Sequence, residues 1–222
     1  MIRHKLHQPE AMIFDLDGTL FQSESILLPA YHATFEQLRR EGLYEGETPP
    51  EERITSCLGM VIREIWRKVL PESPASVHRR ADELLLQHQL SCLKRGEGAL
   101  YPGVEDTLRK LQQSGIRLFI ASNGLENYVK LVSRHKGVAD LFENLYTAGE
   151  YRTESKVDLV KQLLDNHRVQ SAWMVGDRSS DVEAGKKNRL FVVGCDYAGF
   201  GKASELDGAD VKIRSFPELL EL

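Results

Sequence analysis

Met12-Ile13-Phe14-Asp15-Leu16-Asp17-Gly18-Thr19-Leu20 is an apolar run that breaks abruptly into turn formers. Met12 to Phe14 reads as a buried strand and the residues after it as a sharp loop. Two carboxylates stand where the strand stops. Side chains alternate along extended chain, so Asp15 and Asp17 are expected on one side. Two such groups close together repel unless a cation or a shared proton relieves them. A hard divalent cation with oxygen ligands, Mg²⁺ above all, relieves them most simply. Gly18 permits a backbone turn that a Cβ would obstruct, and the Thr19 hydroxyl can donate to an anion. The plain alternative is a tight acidic turn whose aspartates cap the next helix.

Outward from that strand the texture of the chain changes twice. Leu27, Tyr31, Thr34 and Leu38 recur at helical spacing, so roughly 23–40 is an amphipathic helix. The segment 42–50 is a Gly-, Pro- and Glu-rich loop. Ile62, Ile65, Trp66 and Val69 form a second helical stripe stopped by Pro71, and Val77, Ala81, Leu84, Leu85 and His88 a third. No strand is expected from 23 to 95. From Gly96-Glu97-Gly98 onward, helix and strand alternate. Helices are expected near 104–111, 125–135, 155–167, 180–187 and 216–222. Strands are expected at 116–121, 145–148, 173–175, 190–194 and 211–213. Repeated βα units predict an α/β fold, a Rossmann-like parallel sheet with helices on both faces. Ligands of such sheets sit at the carboxyl ends of the strands. The expected division is a core of residues 1–22 and 96–222, with 23–95 inserted as an all-helical cap.

The bulk properties remove several function classes. The chain has 222 residues, 41% of them hydrophobic, enough for a sizeable core. A formal net charge of −4, with 29 basic and 33 acidic residues well mixed, points away from nucleic acid and anionic membrane. No apolar run reaches the ~18 residues of a membrane span, and Met1 to Glu10 has no apolar signal core. Cys57, Cys92 and Cys195 are odd in number, far apart and without zinc spacing, as in a reduced cytoplasmic protein. The seven histidines are scattered and read as ordinary.

Three further strand ends carry polar groups. Phe119-Ile120-Ala121-Ser122-Asn123-Gly124 ends in a hydroxyl, an amide and a glycine just before a helix, where backbone N–H groups favour an anion. Read alone, Ser122 is a plain N-cap. Lys156 opens the helix after the next strand, where it meets the unfavourable end of the dipole. The placement makes sense if the ammonium faces a bound anion; the alternative is a solvated surface lysine. Met174-Val175-Gly176-Asp177-Arg178-Ser179-Ser180-Asp181 ends the next strand with two more carboxylates, one helical turn apart if Asp181 lies on the helix.

Taken in order, Asp15-Leu16-Asp17-Gly18-Thr19, then Ser122-Asn123, then Lys156, then Gly176-Asp177 with Asp181, resembles the four motifs of the haloacid dehalogenase-like (HAD) hydrolases. The resemblance covers nearly the whole chain. The tail, Tyr197-Ala198-Gly199-Phe200-Gly201 with Glu205-Leu206 and Gly208-Ala209-Asp210, is similar to that of phosphoglycolate phosphatase-like members, which carry a helical cap between the first two motifs. One departure is plain: Thr153-Glu154-Ser155-Lys156-Val157-Asp158 keeps the lysine of the third motif but lacks its prolines.

The resemblance implies a phosphatase acting on a small phosphorylated metabolite through an aspartyl-phosphate. Asp15 is then the nucleophile. Asp17 protonates the leaving alcohol and afterwards takes a proton from water. Mg²⁺ is expected on the Asp15 carboxylate, the Asp17 backbone carbonyl and Asp177, with Asp181 beside them acting through water or a neighbouring ligand. Thr19, Ser122, Asn123 and Lys156 are expected on the phosphoryl oxygens. Arg63, Trp66 and Arg67 come after Leu58-Gly59, a candidate cap loop facing the site, and are read equally as a surface helix with a half-buried tryptophan. A monomer or homodimer is expected. A phosphomutase similar to β-phosphoglucomutase would keep every one of these motifs. A non-catalytic phosphate-binding or interaction module is the reading from another class, and Asp17 speaks against it. Asp17 also speaks against a haloalkanoate dehalogenase, which lacks the second aspartate. Phosphonate hydrolysis would need a buried cap lysine, and nothing marks Lys68 or Lys94 as one.

Overall fold

The computed structural model describes residues 7–57, 60, 62–199 and 204–222, and only the backbone of Ile62 and Arg63. The candidate loop at Leu58-Gly59, the Arg63 side chain and the Phe200-Gly201 part of the tail motif lie outside the described residues, as do Met1 to Leu6.

Met12-Ile13-Phe14 does form a strand. β1 (Ala11–Phe14) is paired in parallel on one side with β2 (Arg117–Ser122) and on the other with β4 (Ala172–Gly176). β3 (Asn144–Thr147) extends the sheet beyond β2, and β5 (Phe191–Cys195) and β6 (Val211–Ile213) extend it beyond β4. The order β3-β2-β1-β4-β5-β6 reverses direction of travel between β1 and β4, and the crevice at such a switch point is where open α/β sheets bind ligands. Alternate residues of β1 feed opposite faces. Met12 and Phe14 join a core cluster with Leu118, Ile120 and Val175; Ala11 and Ile13 join one with Phe119, Ala121 and Met174. A sheet buried on both faces requires apolar residues at every position, which explains the unbroken runs of β1, β2 and β4.

The helices of the second half are α5 (Val104–Gln113), α6 (Glu126–His135), α7 (Ala148–Tyr151), α8 (Lys156–His167) and α9 (Ser179–Lys187). The expected last helix is a 3₁₀ segment, Phe216–Glu221. Between β1 and β2 stand α1 (Glu24–Arg40), α2 (Glu51–Thr55), α3 (Ile62–Val69) and α4 (Ala75–Lys94), and no strand element lies among the described residues of this stretch. These four helices enclose a cluster of their own, with Leu27, Tyr31, Phe35, Trp66, Val77 and Leu84 at its centre. The two ends of the stretch belong elsewhere. Ile26 at the start of α1, and Cys92 and Leu93 at the end of α4, pack into the sheet cluster with Phe14.

α2 and α7 are not visible in the hydrophobic pattern. Helices of five and four residues are too short to repeat a stripe.

Candidate active site

The site grows from the carboxyl ends of β1, β2 and β4 and the start of α8. The β1 ladder runs one residue past the strand: the Asp15 N–H donates to the Val175 carbonyl at 2.9 Å. The chain then turns within a few residues. The Leu20 and Phe21 N–H groups both donate to the Leu16 carbonyl at 2.9 Å, and Gly18 takes a φ of +83°. A Cβ at Gly18 would also run into the Asp177 carboxyl, so glycine is required there twice over.

Asp15 and Asp17 both line one cavity, but this turn and not strand alternation puts Asp17 there, because the strand has ended at Phe14. Its carboxylate accepts a hydrogen bond from the Tyr128 hydroxyl at 2.7 Å. Burial, and then the Asp15 charge, push the Asp17 carboxyl up to about 7 against the pull of that hydrogen bond, although Asp17 keeps some surface open to the cavity it lines.

Asp15, Asp177 and Asp181 are buried together, with one oxygen of each within 4.8 Å of the others. Lys156 is buried between them. Its ammonium donates to Asp15 Oδ1 at 2.7 Å and Asp181 Oδ1 at 2.5 Å. Desolvation works to lower the lysine, but the two carboxylates outweigh it and hold it above its ordinary value. The awkward lysine in the first turn of α8 therefore faces two anions of the protein itself, not solvent. Ser155 caps that turn by accepting the Asp158 N–H at 3.1 Å.

Asp177 is held well above the carboxylate range by burial and by the charges of Asp15 and Asp181. The Thr19 hydroxyl orients it, donating to Asp177 Oδ1 at 3.1 Å, and Tyr197 fixes the Thr19 carbonyl with a 2.6 Å hydrogen bond. Asp181, in the first turn of α9, accepts the Arg178 N–H at 3.0 Å. Burial raises Asp181 to about 6 in spite of Lys156. A Cβ at Gly176 would strike the Asp181 side chain, so the second glycine, like Gly18, clears space for a carboxylate.

Ser122 is buried and is not the cap of α6, which begins only at Glu126 with Leu125 as its N-cap. Its hydroxyl oxygen accepts the Gly124 N–H at 3.1 Å and, with Asn123, borders the same cavity as Asp15 and Asp17. That cavity, of about 90 Å³, lies between the strand ends and α1, α2 and α4.

The structure thus brings Asp15, Asp17, Thr19, Ser122, Asn123, Lys156, Asp177 and Asp181 to one place. Trp66 and Arg67 are not part of it. Trp66 is fully buried among the helices and donates to Asp82 at 3.2 Å, while Arg67 is exposed. Sequence reading missed Tyr128 and, although it singled out Tyr197 in the tail motif, did not place that residue at the site. Each is held there across more than a hundred residues, a distance over which no periodicity carries a signal.

Three buried carboxylates, two of them sharing one ammonium, form a hard, oxygen-only donor set. That is the composition a Mg²⁺ ion requires. The residues present fit the ion.

A model of the haloacid dehalogenase-like hydrolases matches residues 12–195, a span that runs from β1 to the end of β5. The chain belongs to this family. Among its HAD relatives, a phosphoglycolate phosphatase of Colwellia psychrerythraea is 28% identical, the match covering 97% of each chain. A phosphoglycolate phosphatase of Chromobacterium violaceum is 30% identical over 96% of each. In fold, the chain is similar to CbbY from Rhodobacter sphaeroides, solved in complex with phosphate, with a TM-score of 0.80 at 22% identity over 95% of this chain and 96% of that one. This HAD hydrolase is of the phosphatase type, akin along its whole length to chains that carry that name.

Proposed function

We propose that the chain is a Mg²⁺-dependent phosphatase that hydrolyses a small phosphorylated metabolite through an aspartyl-phosphate on Asp15. The observation that carries this reading is the pairing at the end of β1. Asp15 is buried against Lys156 and beside Asp177, and two residues on Asp17 is poised near neutrality on the same cavity.

In the first step an Asp15 oxygen attacks phosphorus and the bond from phosphorus to the ester oxygen breaks. Asp17, still protonated near neutral pH, gives its proton to the leaving oxygen. In the second step water attacks the same phosphorus. Asp17 takes the water's proton, and the bond to Asp15 breaks to release phosphate. The same group serves as acid and then base, and a carboxyl near 7 suits both tasks. Lys156 stands 2.7 Å from Asp15, where its ammonium can meet the incoming phosphoryl oxygens, with the Thr19 and Ser122 hydroxyls close by. Asp15, Asp177 and the Asp17 carbonyl would hold Mg²⁺, which supplies neutralising charge for the phosphoryl group beside Asp15. The helices α1 to α4 roof the cavity and would act as the cap that excludes water during the first step. The three buried, unpaired cysteines suit a cytoplasmic protein.

The test is phosphate release from a panel of phosphometabolites with Mg²⁺ and with EDTA. Metal-dependent release that Asp15→Asn abolishes supports the reading. Transfer of the phosphoryl group to a second substrate hydroxyl, with no phosphate freed, would make the chain a phosphomutase. Absence of turnover with an activated aryl phosphate would refute both.

A further inference from the structure

The cavity beside Asp15 and Asp17 has a composition of its own. Away from the strand ends its wall includes Leu27, Ile54, Leu85 and Leu86, with Ser23 and Gln89 as polar side chains, and no lysine, arginine or histidine lines it among the described residues. At about 90 Å³ it has room for more than a single water, which needs ~10–15 Å³. The charges on the cavity are the Asp15 and Asp17 carboxyls, both acidic. Beyond the Lys156 ammonium that faces Asp15, a second anionic group on a substrate would meet those acids and no cation among the described residues that line the cavity.

One polar atom on this wall has no partner. Ser23 precedes α1 at the N-cap position, where a serine oxygen ordinarily accepts an N–H of the first turn. Here it makes no such bond. The residue is buried, yet its hydroxyl has no hydrogen-bond partner among the described residues. Leaving a buried hydroxyl unpaired costs stability unless something else completes it. Ser23 lines the cavity, with the Gln89 side chain on the same wall.

We infer that the substrate is the phosphate monoester of a small, uncharged alcohol, with an apolar carbon chain against Leu27, Ile54 and Leu85 and one oxygen held by the Ser23 hydroxyl. The inference rests on the phosphatase reading above and narrows it. It also sets the expected substrate apart from phosphoglycolate, whose carboxylate would meet no cation among the described residues lining this cavity.

The experiment uses the full chain with Mg²⁺ and four kinds of probe: the linear alkyl phosphates from ethyl to pentyl, 4-hydroxybutyl phosphate, 2-phosphoglycolate, and p-nitrophenyl phosphate as a control. kcat/KM should rise roughly fourfold for each CH₂ that enters the apolar wall. 4-Hydroxybutyl phosphate should be at least as good as butyl phosphate, and Ser23→Ala should lower the ratio of the two. Gln89→Lys, which brings a cation to the wall, should raise the rate on 2-phosphoglycolate relative to butyl phosphate by about tenfold or more. A flat chain-length series, or wild-type preference for 2-phosphoglycolate over butyl phosphate, overturns the inference while leaving the phosphatase reading intact. No turnover of any probe, p-nitrophenyl phosphate included, overturns both. The wild-type series decides the matter even if a variant fails to fold.

Discussion

The Tyr128 hydroxyl, carried on α6, donates to Asp17 Oδ1 at 2.7 Å and holds that carboxyl apart from the cluster formed by Asp15, Asp177 and Asp181. On the proposed function, that separation would divide the labour of four aspartates between metal and proton. Tyr128→Phe keeps the ring and removes the bond. If Tyr128 aims Asp17 at the leaving oxygen, the variant should slow phosphoryl transfer from an alkyl phosphate about tenfold or more and leave an activated aryl phosphate, whose phenolate departs without a proton, nearly unchanged. Equal slowing of both would assign Tyr128 to packing. Rapid-quench measurement of the first turnover separates the two.

Asp17→Ala should show the same asymmetry in larger measure, since general acid catalysis contributes ~10²–10⁴-fold. With an aryl phosphate the first step should survive and the second fail, giving a burst and then a slow steady state. Loss of the burst with both substrate types, alongside weaker Mg²⁺ binding by titration, would make Asp17 a metal-positioning group only.

Lys156 is the ammonium shared by Asp15 and Asp181, and its removal strands both carboxylates in the protein interior. Lys156→Met should cost about 3–5 kcal/mol of stability in EDTA at pH 8, the usual result of breaking a buried pair from one side. At pH 5 the loss should shrink, because Asp181, already raised to about 6, takes up a proton instead. Urea unfolding at the two pH values measures the difference; an equal loss at both would contradict it.

The metal-free protein should lose stability as pH rises. Asp17 and Asp181 titrate near 7 and 6 when folded and near 4 when unfolded, so the native state binds more protons over that window and the stability slope is negative. Mg²⁺ should therefore raise the melting temperature more at pH 8 than at pH 5. Thermal melts with Mg²⁺ or EDTA at each pH check this, and a larger shift at pH 5 would run against it. Gly18→Ala, which forces a Cβ toward Asp177, should weaken Mg²⁺ binding by roughly 10–100-fold.

The range of each interaction along the chain decides whether it is legible in the sequence. β1, β2 and β4 are legible because a strand buried on both faces leaves a continuous apolar run. Asp15 and Asp177 are legible with them, because polar groups at such strand ends have nowhere to point but the crevice. Lys156 betrays itself through a local conflict with the helix dipole. The placement of Asp17 is not legible, since a turn of a few residues, not strand geometry, sets it. Ser122 looks like a cap because its neighbourhood is that of one, yet α6 starts four residues later. Ser23 is the reverse case: it occupies the cap position of α1 but makes no cap bond, and nothing in the sequence marks it. Tyr128 is invisible because its partner lies 111 residues away. The helical stretch is clear as a block, but its edges are not, because Ile26, Cys92 and Leu93 keep a helical pattern while packing beneath the sheet.

The central claim, that Asp15 carries the phosphoryl group, is tested most directly by trapping. The Asp17→Ala variant, stalled before hydrolysis, is mixed with an aryl phosphate and Mg²⁺, acid-quenched, and digested for mass spectrometry. The account predicts one phosphoryl group on the peptide that contains Asp15, and none when Asp15 is replaced by Asn. Phosphate released by the wild type with no label on that peptide in the stalled variant, or a label on another residue, would contradict it.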